Sequence, residues 1–396
     1  MRVGMRLTSI LAAATLASVV QGGDTRPTIG DILSSCSTPA VLDAETNVWE
    51  THTLHPNIYY RNEVEQAIEA IKDVELRQRA AKVADIGTFI WMKTAKDIQD
   101  LAKVANEVPC DNILGLVLDS LPYKGSHAQN VHFDNATLVQ YQVSYIDTIA
   151  EVIKASPNTS FAVIVEPRAF PSYFNESSAS ENLAKSYRDN VPYALKALNL
   201  PNIVTYLDIG NSNSMDWKHH RDVAAKEIKA IYQAAGDPSQ FRGFATNVAN
   251  FNSWDMLPGE FIAADDSRYI RPQNEQQFVR IISDALQKNG LPSRAANAIM
   301  DTSRNGVAGL RGSWDDWCNV DGAGLGPKPA PQTRDENLDA FIWAKHLGES
   351  DGSSDPSQFG YDTFCGKDDA FKPSPAAGQW HQGYFEMLVR NADPPF

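Results

Sequence analysis

Along most of the chain, uninterrupted apolar runs alternate with stretches whose apolar residues recur every three or four positions. The runs at 86–92, 113–119, 161–166, 203–208, 241–246, 296–301 and 340–345 predict strands buried on both faces. The stretches at 63–83, 96–108, 138–155, 181–198, 223–235, 275–288 and 382–391 predict amphipathic helices. Strands that alternate with helices build a parallel sheet, because each return to the same end of the sheet needs a crossover. Seven such units predict an α/β fold in the form of a closed or nearly closed parallel barrel.

Parallel sheets carry their sites at the carboxyl ends of the strands. Six of the runs end on Trp91, Asp119, Glu166, Asp208, Asp301 and Lys345. One terminal Asp is as readily a strand-end cap. The set together predicts a functional mouth. The Gly/Pro-rich stretch 319–334 is expected to form a surface loop over it.

The ends of the chain and its charge narrow the setting. Arg2 and Arg6 precede an apolar run from Leu7 to Val20, too short to cross a bilayer, so residues 1–22 read as a secretory leader. Residues 23–50 are irregular and polar, and 51–396 form the predicted domain. The formal charge of −14 becomes −16 without the two leader arginines. An acidic chain without a basic block is not expected to bind nucleic acid. No second apolar run predicts a membrane anchor. A soluble, secreted, monomeric protein acting on a neutral substrate fits best. Sequons at Asn135, Asn158 and Asn175 are expected glycan sites. Four cysteines in an exported chain predict two disulfides, with three pairings open. Their spacing matches no zinc pattern, so neither metal nor cofactor is expected.

The candidate chemistry lies in a few motifs. Eight tryptophans are generous for this length, and Trp91, Trp217, Trp314 and Trp317 sit near strand ends or in Gly-rich segments. Aromatic faces there suit the apolar faces of sugar rings. The run FAVIVEPRAFP, Phe161 to Pro171, is a buried strand followed by Glu-Pro-Arg. Further on stand Phe89-Ile90-Trp91, Tyr206-Leu207-Asp208-Ile209-Gly210 and the run ATNVANFN from Ala245 to Asn252. WDDWCN from Trp314 and GESDGSSD from Gly348 complete the set.

In content and order these segments resemble glycoside hydrolase family 6, the inverting cellobiohydrolases and endoglucanases, across nearly all of the chain after the leader. The resemblance implies the family's distorted seven-stranded α/β barrel and a β-1,4-glucan, cellulose or cello-oligosaccharide, as the partner. It gives Trp91, Trp217 and Trp317 stacking roles, and it gives Asn247, Lys345 and Glu349 polar contacts to sugar. Asp351 becomes the candidate base or charge stabiliser, and Asp208 a groove carboxylate. Cys318 pairs with Cys365 in the family's manner, which leaves Cys36 with Cys110.

The departures gather around one group. The family's proton-donating Asp follows the Glu-Pro dipeptide, and here that position is Arg168. A guanidinium stays charged at any physiological pH. The Asp that tunes the donor is replaced by Gly125, and a Tyr just ahead of it by Leu118 or Asp119. A His and a Trp become Asn211 and Ser214. The second family disulfide gives way to Ser126 and Ser180. The expectation is a glucan-binding protein with weak or no hydrolysis. The alternative is an active glucanase with a displaced acid, Glu166 or Asp119.

Overall fold

A computed structural model describes residues 36–124, 138–172, 178–214, 218–261, 272–358 and 360–396. The expectations for residues 1–35, Gly125, Ser126, Asn135, Asn175 and Trp217 lie outside the described residues, as does the side chain of Ser180.

Eight parallel strands form one sheet: β1 (Thr53–Leu54), β2 (Ile90–Met92), β3 (Asn112–Leu118), β4 (Ser160–Val165), β5 (Ile203–Asp208), β6 (Phe241–Thr246), β7 (Asn297–Asp301) and β8 (Leu338–Ile342). The two-residue β1 was not expected. It and β2 share one edge of β3, β1 pairing with Asn112–Ile113 and β2 with Leu116–Leu118. Seven positions therefore run around the sheet. Between its two ends the amide of Phe89, just before β2, donates to Trp343 O just after β8, at 3.1 Å. The result is a nearly closed, distorted seven-stranded α/β barrel.

Strand periodicity sorts side chains into two cores. Leu114, Leu116, Phe161, Val163 and Leu207 face the outer helices, while Ile113, Val117, Ala162, Ile164 and Tyr206 face inward. The segment just ahead of β1 fills the inner core. Leu42, Ala44, Val48 and Trp49 pack among the inward residues. Trp49 Nε1 donates to the Tyr206 hydroxyl at 3.1 Å, and that hydroxyl donates to Asp339 Oδ2 at 3.0 Å. Arg242 grips the same carboxylate through Nε at 2.8 Å and Nη2 at 2.7 Å. Arg242 and Asp339 stand near the amino ends of β6 and β8, so this plug closes the floor opposite the mouth.

Several boundaries differ from expectation. The helix predicted over 63–83 is two, Ile58–Ala70 and Val74–Val83. Asn57 caps the first and Asp73 the second through their side-chain oxygens. The helix predicted over 138–155 begins as a π-helical segment, Gln140–Asp147, before Thr148–Lys154. The stretch 319–334 does not cover the mouth. Val320, Ala323 and Leu325 are buried against the last helix, Gln382–Arg390. Its backbone runs so close to that helix's end that a Cβ on Gly324 would lie 2.0 Å from Asn391 O.

Candidate active site

At the carboxyl ends of the strands lies a groove of about 740 Å³. Trp91 enters from β2, Arg168 from just beyond β4 and Asp208 from the end of β5. Trp317 comes from the loop after β7, and Lys345, Glu349 and Asp351 come from the segment after β8. Trp314, half exposed, and Asp315 also line it. Among the described residues, no group of His, Cys, Asp and Glu is placed to hold a metal ion, and no helix is long and apolar enough to cross a membrane.

The wall after β8 is a chain of paired charges. Asp351 Oδ2 accepts from Arg304 Nη1 at 2.5 Å and from the Asn319 amide at 2.9 Å, while Lys345 Nζ stands 3.4 Å from Oδ1. Burial would raise this carboxyl, but Arg304 and Lys345 outweigh burial and hold it below its ordinary value. It is therefore an anion across the neutral range. Arg304 is buried beneath it, its guanidinium 4.1 Å from the Phe251 ring centre. Glu349 meets His346 Nδ1 at 2.7 Å. Against the cost of burial, His346 and Lys345 pull that carboxyl down to about 2. Arg304 and His346 escaped sequence reading. Each is a single polar residue in an irregular segment, and the only signal was position shortly after a buried strand.

The opposite wall is unlike it. Glu166 is buried, does not line the groove, and has a positive φ of 51°. Its carboxylate accepts from the Ser120 amide at 3.1 Å, the Leu121 amide at 3.0 Å, Tyr141 at 2.9 Å and Lys124 Nζ at 3.0 Å. Lys124 also holds Asp119. Asp119 lies outside the groove lining as well. Burial raises its carboxyl, but Lys124, Arg168 and Lys93 bring it below its ordinary value. Neither displaced acid named from the sequence thus lines the groove.

Asp208 does line it. Its Oδ1 accepts from the Arg168 amide at 2.8 Å and the Gly210 amide at 3.1 Å. Its Oδ2 has no hydrogen-bond partner among the described residues. Burial pushes this carboxyl up to about 7 against those two amides and the more distant charges of Lys124 and Arg168. Gly210 is required at this turn, with φ of 85° and Pro171 and Ser214 within 2.4 Å of where a Cβ would sit. Arg168 itself has φ of 65°, and its side chain is exposed in the groove.

Asn247, expected to bind substrate, is instead fully buried at φ of 60°. Its amide nitrogen donates to Asp301 O at 2.8 Å and Asn252 O at 3.2 Å, so it ties loops together beneath the groove. Asp301 does similar work, accepting the amides of Ala249, Ser303 and Lys345. Asn158 is half-buried and donates to Cys36 O at 3.0 Å. The disulfides are Cys36–Cys110 and Cys318–Cys365, with Cα atoms 4.7 Å and 5.0 Å apart; Cys318 directly follows Trp317 and so anchors the aromatic side of the groove.

A parallel barrel whose mouth holds a long groove of tryptophans and carboxylates is the architecture of a glycoside hydrolase that works on a polysaccharide. The comparisons with known proteins make that class specific. The family model for glycosyl hydrolases family 6 matches residues 49–392, and the chain belongs to that family. It is 46% identical to the 1,4-β-D-glucan cellobiohydrolase CEL6C of Podospora anserina, over 98% of this chain and 99% of that one. It is 35% identical to exoglucanase 3 of Agaricus bisporus, over 88% and 79% respectively. Among solved structures it is similar to a variant of cellobiohydrolase Cel6A of Humicola insolens in complex with methyl-tetrathio-α-D-cellopentoside. That likeness has a TM-score of 0.82 and 31% identity, covering 90% of this chain and 100% of the other.

Proposed function

We propose that this protein binds β-1,4-glucan chains in the groove and hydrolyses them weakly or not at all. The observation that carries the reading is the exposed guanidinium of Arg168 beyond the Glu-Pro end of β4, where inverting chemistry needs a proton donor. Trp91 and Trp317 supply stacking faces that need no acid. Asp351, an anion flanked by Arg304 and Lys345, suits the base or a stabiliser of positive charge on the sugar. Without the acid, the leaving oxygen departs unprotonated, at a cost in rate of about 10²–10⁴-fold.

A second reading has one specific observation in its favour. Asp208 lines the groove, has an oxygen without a hydrogen-bond partner among the described residues, and is raised by burial to about 7. In an active glucanase it would be the displaced donor, with Asp351 as base. The test is product analysis of cellohexaose with the unmodified protein, Asp351→Ala, Asp208→Asn and Arg168→Asp. Binding without appreciable cleavage supports the first reading. Turnover that disappears in Asp208→Asn, while binding persists, supports the second. Failure to bind any β-1,4-glucan would sink both.

Export from the cell completes the proposal, with residues 1–22 as a removable leader and glycans on the sequons. Two disulfides and the relatives' cellulose-directed names support an extracellular setting. The protein is proposed to act there as a monomer, without cofactor.

A further inference from the structure

We propose that the groove prefers a cello-oligosaccharide bearing a carboxylate over a neutral one, and that Arg168 is the residue that sets this preference. The inference rests on the glucan-binding reading and adds the charge of the ligand to it. Its first support is the contrast among the cations around the mouth. Lys345 faces Glu349 at 3.9 Å and Asp351 at 3.4 Å. Lys124 is held by Asp119 and Glu166, and Arg304 by Asp351. Arg168 forms no ion pair among the described residues, although it lines the groove and is exposed there.

The second support is the state of the nearest carboxyl. Asp208 is engaged by the backbone amide of Arg168, not by its guanidinium. Burial favours the uncharged form of Asp208 in mildly acidic solution, so this carboxyl offsets little of the arginine's charge; Asp119, an anion outside the groove lining, is the carboxylate that feels it. The third support is the neighbourhood. Lys93 is half exposed, with its Nζ 4.9 Å from the Trp91 ring centre and, among the described residues, one ion pair, to Asp119, at 3.8 Å. Burial holds its ammonium below the ordinary value against the attraction of Asp119 and Glu349, and the charges of Lys345 and Arg168 push it the same way as burial. These cations stand close enough to repel one another, and an anion among them relieves that repulsion.

The ligand's chemistry follows from what surrounds the charge. A guanidinium offers two parallel N–H donors that match the two oxygens of a carboxylate. The tryptophans along the same groove call for flat pyranose faces beside that carboxylate. A β-1,4-linked glucose chain carrying an acid group meets both demands. Two sources supply that chemistry: an aldonic acid at an oxidised chain end, or a uronic acid within a ring.

Calorimetric titration with cellotetraose, cellotetraonic acid and a β-1,4-linked tetrasaccharide containing one glucuronic acid tests the proposal and separates the sources. The unmodified protein is expected to bind one or both acids at least about tenfold more tightly than cellotetraose, the usual worth of a charge-assisted bidentate contact. Arg168→Gln should abolish that preference, so that acid and neutral ligands bind alike. Arg168→Lys, which keeps the charge without the fork, should retain part of it. Equal affinity for the acid and neutral ligands, or a preference that survives in Arg168→Gln, would overturn the inference and leave the glucan reading standing. Loss of binding to every ligand in the unmodified protein would overturn the glucan reading itself.

Discussion

Replacing Asp208 by Asn should change how stability depends on pH. The substitution keeps an oxygen to accept from the amides of Arg168 and Gly210 and swaps the second oxygen for an uncharged NH₂. In the folded protein this carboxyl is raised from 3.8 to about 7, first by burial. Between those values the native state holds a proton that the unfolded chain has released. Stability from this group is therefore complete below about pH 4, falls as pH rises, and levels off above about pH 7. At about 1.4 kcal/mol per pH unit the whole loss is about 4 kcal/mol, more than half of it between pH 5 and pH 8. Glu275, Asp301 and Asp339 are also raised by burial, but they remain in both proteins and cancel in the comparison. Urea unfolding of both proteins at pH 5 and pH 8, with disulfides intact, reads the effect. Asp208→Asn should gain stability on the unmodified protein over that interval, by roughly 2–3 kcal/mol. Parallel pH profiles for the two would refute the account of a buried, protonated Asp208.

Other perturbations address the remaining parts of the site. Arg304→Met leaves Asp351 as a buried anion without its main partner and should cost about 3–5 kcal/mol in urea unfolding, part of it recovered by adding Asp351→Asn. Replacing Cys318 and Cys365 together by Ser opens a loop with a sequence separation of 47 and should cost about 4 kcal/mol by the chain-entropy estimate, read as a lower denaturant midpoint. Trp91→Ala and Trp317→Ala should each weaken cellohexaose binding by about three- to tenfold in calorimetric titration, as loss of a stacking face predicts.

The strands were legible because a strand buried on both faces leaves an uninterrupted apolar run, and 203–208 and 241–246 coincide with β5 and β6. The split at 71–73 was legible in principle. Asp73 followed by Val74-Glu75 is a helix start, but continuous apolar periodicity on either side obscured it. The inner plug was not legible. Trp49 is buried because Tyr206 and Asp339, more than 150 residues away in sequence, converge on it, and no local pattern carries that information. Asn247 shows how a motif can mislead: the run around it matched, but its left-handed backbone turns the amide toward Asp301 and Asn252. Likewise, the glycines of 319–334 suggested an exposed loop, whereas Gly324 is there to let two backbones touch.

The two departures seen first in the sequence act together. A proton donor must be kept neutral, and a site does that with burial or with a nearby negative charge. Around the end of β4 the chain has done the reverse. Arg168 is exposed in the groove there, and Lys124 joins Asp119 to Glu166. Those cations hold Asp119 ionised, while four donors tie down Glu166. Asp208 climbs, because burial outweighs its bonds to the two backbone amides and the more distant charges of Lys124 and Arg168. The wall after β8 presents an anion, Asp351, and Trp91 and Trp317 line the same groove. The groove thus sets aromatic faces and an anion on one side against the exposed positive charge of Arg168 on the other.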